Sequence, residues 1–146
     1  FTYKAKAKEK GLNFLASWDD KVPNFVEGDR LRLFQVVTNI LDNAIKYTET
    51  GTVTFLIQLN QKRANRASLR FHVKDTGIGI PEEHLSRIFE RFYRIDSGRS
   101  RKTGGTGLGL AIVKNAIQLH QGTISARNSK DGGLEFLISI PRITEK

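Results

Sequence analysis

Apolar residues recur every three or four positions from Leu31 to Ile45: Leu31, Phe34, Val37, Ile40, Leu41, Ala44 and Ile45. That spacing predicts a helix. Asp29 offers its N-cap, and the helix should run to about Tyr47, with Thr50-Gly51 ending it. The period then changes to two. Val53, Phe55, Ile57 and Leu59 alternate with other residues, and so do Leu69, Phe71 and Val73, which place Arg70, His72 and Lys74 on the opposite face. These runs predict two strands joined across the polar, basic, hairpin-like stretch 60–67. Pro81-Glu82-Glu83 puts a proline at a first helical position and acids in a first turn, so a short helix is predicted over about 82–91. Residues 94–105 have many charges and no period, as in a mobile loop. A last helix is predicted over about 107–119, ending near Gly122, then strands over 123–128 and 134–140. Short strands over 12–18 and 24–27 flank a turn at Asp19, Asp20 and Pro23. Trp18 and the phenylalanines are read as core. No repeat or linker divides the chain, so residues 1–146 are read as one domain. The order of elements predicts a two-layer α/β sandwich, a mixed sheet with helices on one face.

Composition narrows the function classes. A chain of 146 residues buries roughly 68–70% of its unfolded surface. It folds without disulfides, and the lack of cysteine excludes thiolate metal sites and thiol nucleophiles. No apolar run approaches the ~20 residues of a membrane span, and no signal peptide is visible. With no methionine, the chain reads as a piece of a longer protein. Lys and Arg number 24 against 15 Asp and Glu, a formal charge of +9. Of three basic clusters, only Arg91, Arg94, Arg99, Arg101 and Lys102 precede a glycine-rich segment, where a phosphate ligand would be expected. No aromatics interleave with basic residues along a strand, which argues against a single-stranded nucleic-acid surface.

Three segments could carry chemistry. On the first long helix, Gln35, Asn39, Asn43 and Lys46 stand at i, i+4, i+8 and i+11, one polar stripe on an otherwise apolar helix. Asparagine carbonyls can ligate magnesium and lysine suits phosphate; the same stripe also reads as a solvated face. In Asp75-Thr76-Gly77-Ile78-Gly79-Ile80, strand parity turns Asp75 inward with Leu69, Phe71 and Val73. A carboxylate there needs a partner. That partner is either a ligand amine, such as that of adenine, with Gly77 and Gly79 admitting a flat ring, or the local backbone N–H groups. Gly104-Gly105-Thr106-Gly107-Leu108-Gly109-Leu110 opens a helix and reads as an anion-binding loop or as a hinge. It is not a Walker A loop, since Leu110 occupies the lysine position, nor a dinucleotide fingerprint, since its glycines recur every second residue. His72, His84 and His120 lie beside no nucleophile and in no metal-ligand pattern.

Together these segments resemble the catalytic domain of sensor histidine kinases, in the superfamily that also contains gyrase and MutL. Asn39 to Thr48 resembles the N box, Asp75 to Ile80 the G1 box, Phe89 to Tyr93 the F box and Gly104 to Lys114 the G2 box, in that order over nearly the whole chain. The resemblance implies a Bergerat-type ATP-binding fold and a kinase that uses ATP and Mg2+. By the same resemblance Asn43 ligates magnesium, Asn39 supports the phosphate side, Lys46 meets phosphate and Tyr47 packs near the nucleoside. Asp75 accepts from the adenine amine, with Gly77, Gly79 and Ile80 beside the ring. Arg94 and the basic loop after it form a lid, and Thr106, Gly107, Leu108 and Gly109 close over the phosphates. Asn39, Asn43, Lys46 and Arg94 are thus the expected participants in transfer. ATPase branches carry a glutamate where Asn39 stands, so little hydrolysis is expected here. The implied acceptor is a histidine on a dimerisation segment of the same or a sister chain, with a response regulator downstream. The implied setting is the cytoplasmic side of a membrane-anchored kinase. The fragment itself is expected to be monomeric and to bind no nucleic acid. Asp131-Gly132-Gly133-Leu134-Glu135-Phe136 keeps only part of a third glycine pattern, Gly-x-Gly-Thr-x-Phe. Phe1 to Lys10 is either the tail of the upstream segment or a first strand. The superfamily's ATPase modules and a pseudokinase are the competing readings.

Overall fold

A computed structural model describes residues 2–22, 26–27, 29–63, 66–93, 109–130 and 132–145. The elements are α1 (Thr2–Glu9), β1 (Asn13–Trp18), β2 (Val26–Glu27), α2 (Arg30–Tyr47), β3 (Thr52–Arg63), β4 (Arg66–Asp75), α3 (Glu82–Leu85), α4 (Gly109–Leu119), β5 (Thr123–Asn128) and β6 (Leu134–Glu145).

The sheet runs β1-β3-β4-β6, with β5 and β2 sharing the outer edge of β6. It is mixed: β1 lies parallel to β3, and the other pairs are antiparallel. Phe55, Val73, Phe136 and Ala126 share one register row across four strands. The alternation read from β3 and β4 thus becomes one apolar face. Val53, Leu69, Val73, Phe136, Ile138 and Ile140 bury that face against Val36, Ile40, Leu41 and Ala44 of α2 and Val113, Ala116 and Ile117 of α4. This is the two-layer sandwich that the pattern predicts. Among the described residues no helix is long and apolar enough to cross a membrane.

Local chemistry explains α2 closely. Asp29 has extended φ and ψ, and its carboxylate accepts from the Arg32 N–H at 3.1 Å, so the predicted N-cap is the observed one. The helix stops at Tyr47, three residues ahead of the Thr50-Gly51 turn.

Other expectations need correction. Residues 2–9 form a helix, not a first strand. Its Ala7 is fully buried, and Tyr3, Lys6 and Lys10 bond to α2. The stretch 60–67 is largely strand, because β3 continues to Arg63 and β4 starts at Arg66. β6 runs on past residue 140 to Glu145, pairing with both β4 and β2. Pro81 is the N-cap of α3 rather than its first residue, and α3 ends at Leu85 instead of near 91. Beyond it, Arg87, Glu90 and Tyr93 each donate to the carbonyl three residues back. The chain advances by turns that bury Ile88, and Phe92 takes a φ of 65° that no helix accommodates. Trp18, Phe34 and Phe92 are exposed by about two thirds, so they are not core. Trp18 ends the edge strand β1. Phe14, Phe55, Phe71, Phe89 and Phe136 do join the core. The predicted loop at 94–105 lies outside the described residues.

Candidate functional site

Asp75 ends β4 on the inward face, as its parity requires, and only 6% of it is exposed. Its Oδ1 accepts from the Gly77 N–H at 3.0 Å and from the Leu134 N–H at 3.1 Å. Burial raises the carboxyl pKa above its ordinary 3.8, and the two backbone bonds oppose that rise without cancelling it. Of the two alternatives left by the sequence, the backbone one is observed: N–H groups partner this side chain. One oxygen caps the turn, while Oδ2 accepts nothing from a described residue.

The surroundings of Asp75 leave room only for glycine. A Cβ on Gly77 would stand 2.8 Å from the Tyr47 carbonyl and 3.2 Å from Asp75 Oδ1. A Cβ on Gly133 would stand 2.0 Å from the Asp75 carbonyl oxygen, at a φ of +85°. Gly79, at φ +73°, would drive its Cβ to 2.7 Å from Asn128 Oδ1. The end of α2, the loop 76–80 and the β5–β6 turn therefore converge around one carboxylate. Thr48, fully buried, closes the α2 side: its Oγ1 donates to the Ala44 carbonyl at 2.7 Å.

The sequence reading missed Asn128, and it noted Gly133 only as part of an incomplete glycine pattern, without its place beside Asp75. Asn128 ends β5 and bonds both polar backbone groups of Ile80. Gly133 lies within the stretch 131–136 that keeps only part of the expected glycine pattern, yet it is the residue whose absent side chain lets β6 start beside Asp75. Neither has a local signal. Their partners lie 48 and 58 residues away in the chain, and only the register of β5 and β6 brings them together.

The polar stripe of α2 starts at the site and runs away from it. Asn39, Asn43 and Lys46 are half-buried, and Gln35, farther along, is exposed. Lys46 Nζ lies 5.6 Å from the centroid of the Tyr47 ring, which is itself 47% exposed. Thus Lys46 and Tyr47 lie next to Thr48 and the loop, whereas Asn43 and Asn39 lie one and two turns back. Gly109 opens α4, and a Cβ there would meet no described residue within 4 Å. Arg94, Thr106, Gly107 and Leu108 lie outside the described residues.

The segment before them is anchored from below. Phe89 packs edge-on against Phe136, with centroids 6.2 Å apart. Tyr93 bonds His84 through its hydroxyl and the imidazole Nδ1, and its ring lies 4.4 Å under the Arg87 guanidinium.

Residues 28–144 match the family described as histidine kinase-, DNA gyrase B- and HSP90-like ATPases. The chain is 42% identical over 135 residues to the sensor histidine kinase WalK of Bacillus subtilis, a match that covers 92% of this chain and 21% of WalK. It is 39% identical over 132 residues to the signal transduction histidine-protein kinase BarA of Escherichia coli, covering 90% of this chain and 14% of BarA. The chain therefore spans about a fifth or less of the length of these curated relatives. Among solved structures, the catalytic domain of the histidine kinase ThkA superposes with a TM-score of 0.79 at 30% identity, over 97% of this chain and 87% of that one. Full-length ShkA in complex with AMPPNP superposes with a TM-score of 0.78 at 31% identity, over 98% of this chain and 28% of that one.

Proposed function

The chain belongs to the histidine kinase-, DNA gyrase B- and HSP90-like ATPase family, its relatives there are sensor histidine kinases, and we propose that its 146 residues form one domain that binds Mg-ATP and supplies the γ-phosphoryl group to a histidine on a separate dimerisation segment of the same or a sister chain. The observation that carries this reading is the buried Asp75 carboxylate. It has one oxygen committed to backbone and one available, inside a cradle that any Cβ at Gly77 or Gly133 would fill. A flat ring bearing an amine fits that chemistry. The amine would donate to Oδ2, and the glycines would let the ring lie against backbone. The AMPPNP bound to ShkA supports an adenine nucleotide as the ligand.

On the phosphate side Lys46 would supply a compact positive charge. The Asn43 amide oxygen would hold magnesium, with Asn39 supporting it. Among the described residues no three His, Asp, Glu or Cys side chains converge into an all-protein metal cage. Magnesium would therefore share its coordination with phosphate oxygens and water, which suits an asparagine donor. When bound, it would offset the charge that develops on the phosphates. Arg94 and residues 106–109 would complete that side.

The amide of Asn39 cannot take a proton from water, so this chain would orient the nucleotide for transfer rather than hydrolyse it quickly. The phosphoryl group would pass on to a response regulator. The domain would sit on the cytoplasmic side of a membrane-anchored kinase, monomeric when isolated and without nucleic acid as a partner.

Calorimetry of ATP and ADP binding, with and without magnesium, tests this reading together with a phosphate-release assay. Magnesium-sensitive binding with little hydrolysis is the expected result. Rapid hydrolysis would transfer the chain to the ATPase branches, and failure to bind either nucleotide would overturn the reading.

A further inference from the structure

The last four carbonyls of a helix have no partners inside it, and in α2 each of the four has an identifiable neighbour. Ala44 O accepts from Thr48 Oγ1 at 2.7 Å. Ile45 O and Lys46 O both accept from Lys10 Nζ, at 2.8 Å and 2.7 Å. Tyr47 O faces Gly77, where a Cβ would come within 2.8 Å of it. The two outer positions of this set belong to the candidate site. The two inner ones are held by a lysine 35 and 36 residues earlier in the chain, ahead of β1 in sequence.

Lys10 follows α1, which runs alongside α2 in the same direction. Tyr3 donates to Thr38 O at 3.5 Å, Lys6 pairs with Asp42 at 3.3 Å and Lys10 reaches residues 45 and 46. Each contact on α2 is next to a residue of the polar stripe: Thr38 precedes Asn39, Asp42 precedes Asn43, and Lys46 is itself a member. The first is a part-buried bond between neutral groups; the second is an exposed ion pair, of a kind that contributes little. The third differs in kind. A cation at a helix C-terminus is favoured by the helix dipole, and here it donates two charge-assisted bonds to the turn that bears Lys46, Tyr47 and Thr48.

We propose that Lys10 is a positioning residue for nucleotide binding. By capping α2 it fixes the last turn, so that Lys46 and Tyr47 are presented at the site and Tyr47 O lies against Gly77. The docking of α1 would then be linked to nucleotide affinity, because losing the cap frees the turn to move. This rests on the proposed nucleotide site, and two separate measurements keep the failure of one idea distinct from failure of the other.

The first is Mg-ATP affinity by calorimetry at a temperature where circular dichroism shows each variant folded. Lys10→Met should weaken binding about three- to thirty-fold. Lys10→Arg, which keeps the charge and can donate to both carbonyls, should recover most of the loss. Lys8→Met, on α1 and without such a contact, should bind as the parent does. The second is hydrogen exchange of the Lys46, Tyr47 and Thr48 amides in nucleotide-free protein, which should speed up in Lys10→Met and return towards the parent rate in Lys10→Arg. Parent-like affinity in folded Lys10→Met, or an equal loss in Lys10→Arg, would overturn the proposal. So would unchanged exchange, even if the parent protein bound no nucleotide and the wider reading fell. Should Lys10→Met not fold, Lys10→Gln replaces it. Its single amide can satisfy one carbonyl, so an intermediate loss is expected, and parent-like affinity would again be fatal.

Discussion

The Asn128 side chain bonds the Ile80 backbone twice: its Oδ1 accepts from the Ile80 N–H at 2.9 Å, and its Nδ2 donates to the Ile80 carbonyl at 2.5 Å. A primary amide mimics a strand neighbour here, and it ties the end of the loop 76–80 to the last residue of β5. Asn128→Ala removes both bonds. At about 1 kcal/mol for each partly solvated bond, stability should fall by about 1–2 kcal/mol. Nucleotide affinity should fall with it, because the loop that carries Gly77 and Gly79 is no longer held. Urea unfolding and calorimetry on the same preparation check both. Asn128→Asp should do no better, since a carboxylate keeps the acceptor but faces the Ile80 carbonyl with no donor.

Asp75→Asn separates the two tasks of that side chain. An amide oxygen can still accept from the Gly77 and Leu134 N–H groups, so the fold should persist. A charge-assisted bond to a ligand amine would be lost, at roughly 1.5–3 kcal/mol, or about ten- to a hundred-fold in affinity. An unchanged dissociation constant for ATP would remove adenine from Asp75.

The same residue gives a pH signature. Burial raises the Asp75 pKa above 3.8 in the folded state, so the folded protein holds this proton at pH values where the unfolded chain has released it. Asp75 therefore favours the fold most below pH 3.8, and that benefit is lost as pH rises through the raised folded value. The Asn variant lacks the titration. Its stability relative to the parent should be greater at pH 7 than at pH 3.5, a difference readable in paired urea unfolding curves. An equal difference at both pH values would contradict the raised pKa.

How much of this was legible beforehand depended on the range of the interaction. α2 was readable almost residue by residue, because its N-cap and its apolar spacing act within a few positions. Asp75 was readable from parity alone, since β4 keeps a two-residue period up to its end. α1 was not. TYKAKAKE has no apolar stripe to mark it, and its place depends on burial of Ala7 and on Tyr3, Lys6 and Lys10 meeting α2 about 35 residues later. The stretch after Leu85 misled because the proline and acids ahead of it, at 81–83, announce a helix, while burial of Ile88 and the left-handed Phe92 require a chain of turns. Trp18 misled in the opposite sense: bulk and apolarity suggested core, but the edge position of β1 leaves it exposed. Asn128 was invisible, and the place of Gly133 beside Asp75 was too, because each matters through a partner that sheet register alone supplies.

Gly133 should tolerate no side chain. Gly133→Ala must adopt a φ of +85° and bring its Cβ to 2.0 Å from the Asp75 carbonyl oxygen, a backbone atom fixed within the sheet. Left-handed strain in a non-glycine residue alone costs on the order of 1–3 kcal/mol. The clash adds to it, so a loss of about 3 kcal/mol or more is expected in thermal or urea unfolding, with ATP affinity reduced in whatever remains folded. Gly132→Ala separates strain from contact. It shares a positive φ of +91°, but its Cβ would stand 3.8 Å from the Gly77 carbonyl, so it should cost only the strain.

The packing of α1 on α2 can be read through a phenol. Burial first, then the neighbouring Asp42 carboxylate, push the Tyr3 pKa up from 10.0 to about 12. The protonated phenol is the form that suits the folded chain. Its contribution to docking is therefore complete below pH 10 and is lost as pH rises towards 12. Of the three tyrosines, Tyr3 should supply a late component in an absorbance titration at alkaline pH, and Tyr3→Phe should remove that component. Asp42→Asn should shift it towards the ordinary range without abolishing it, because burial, the larger cause, remains. If Tyr3→Phe left the late component in place, α1 would not lie against α2 as described, and the route from Lys10 to the nucleotide would lose its first contact.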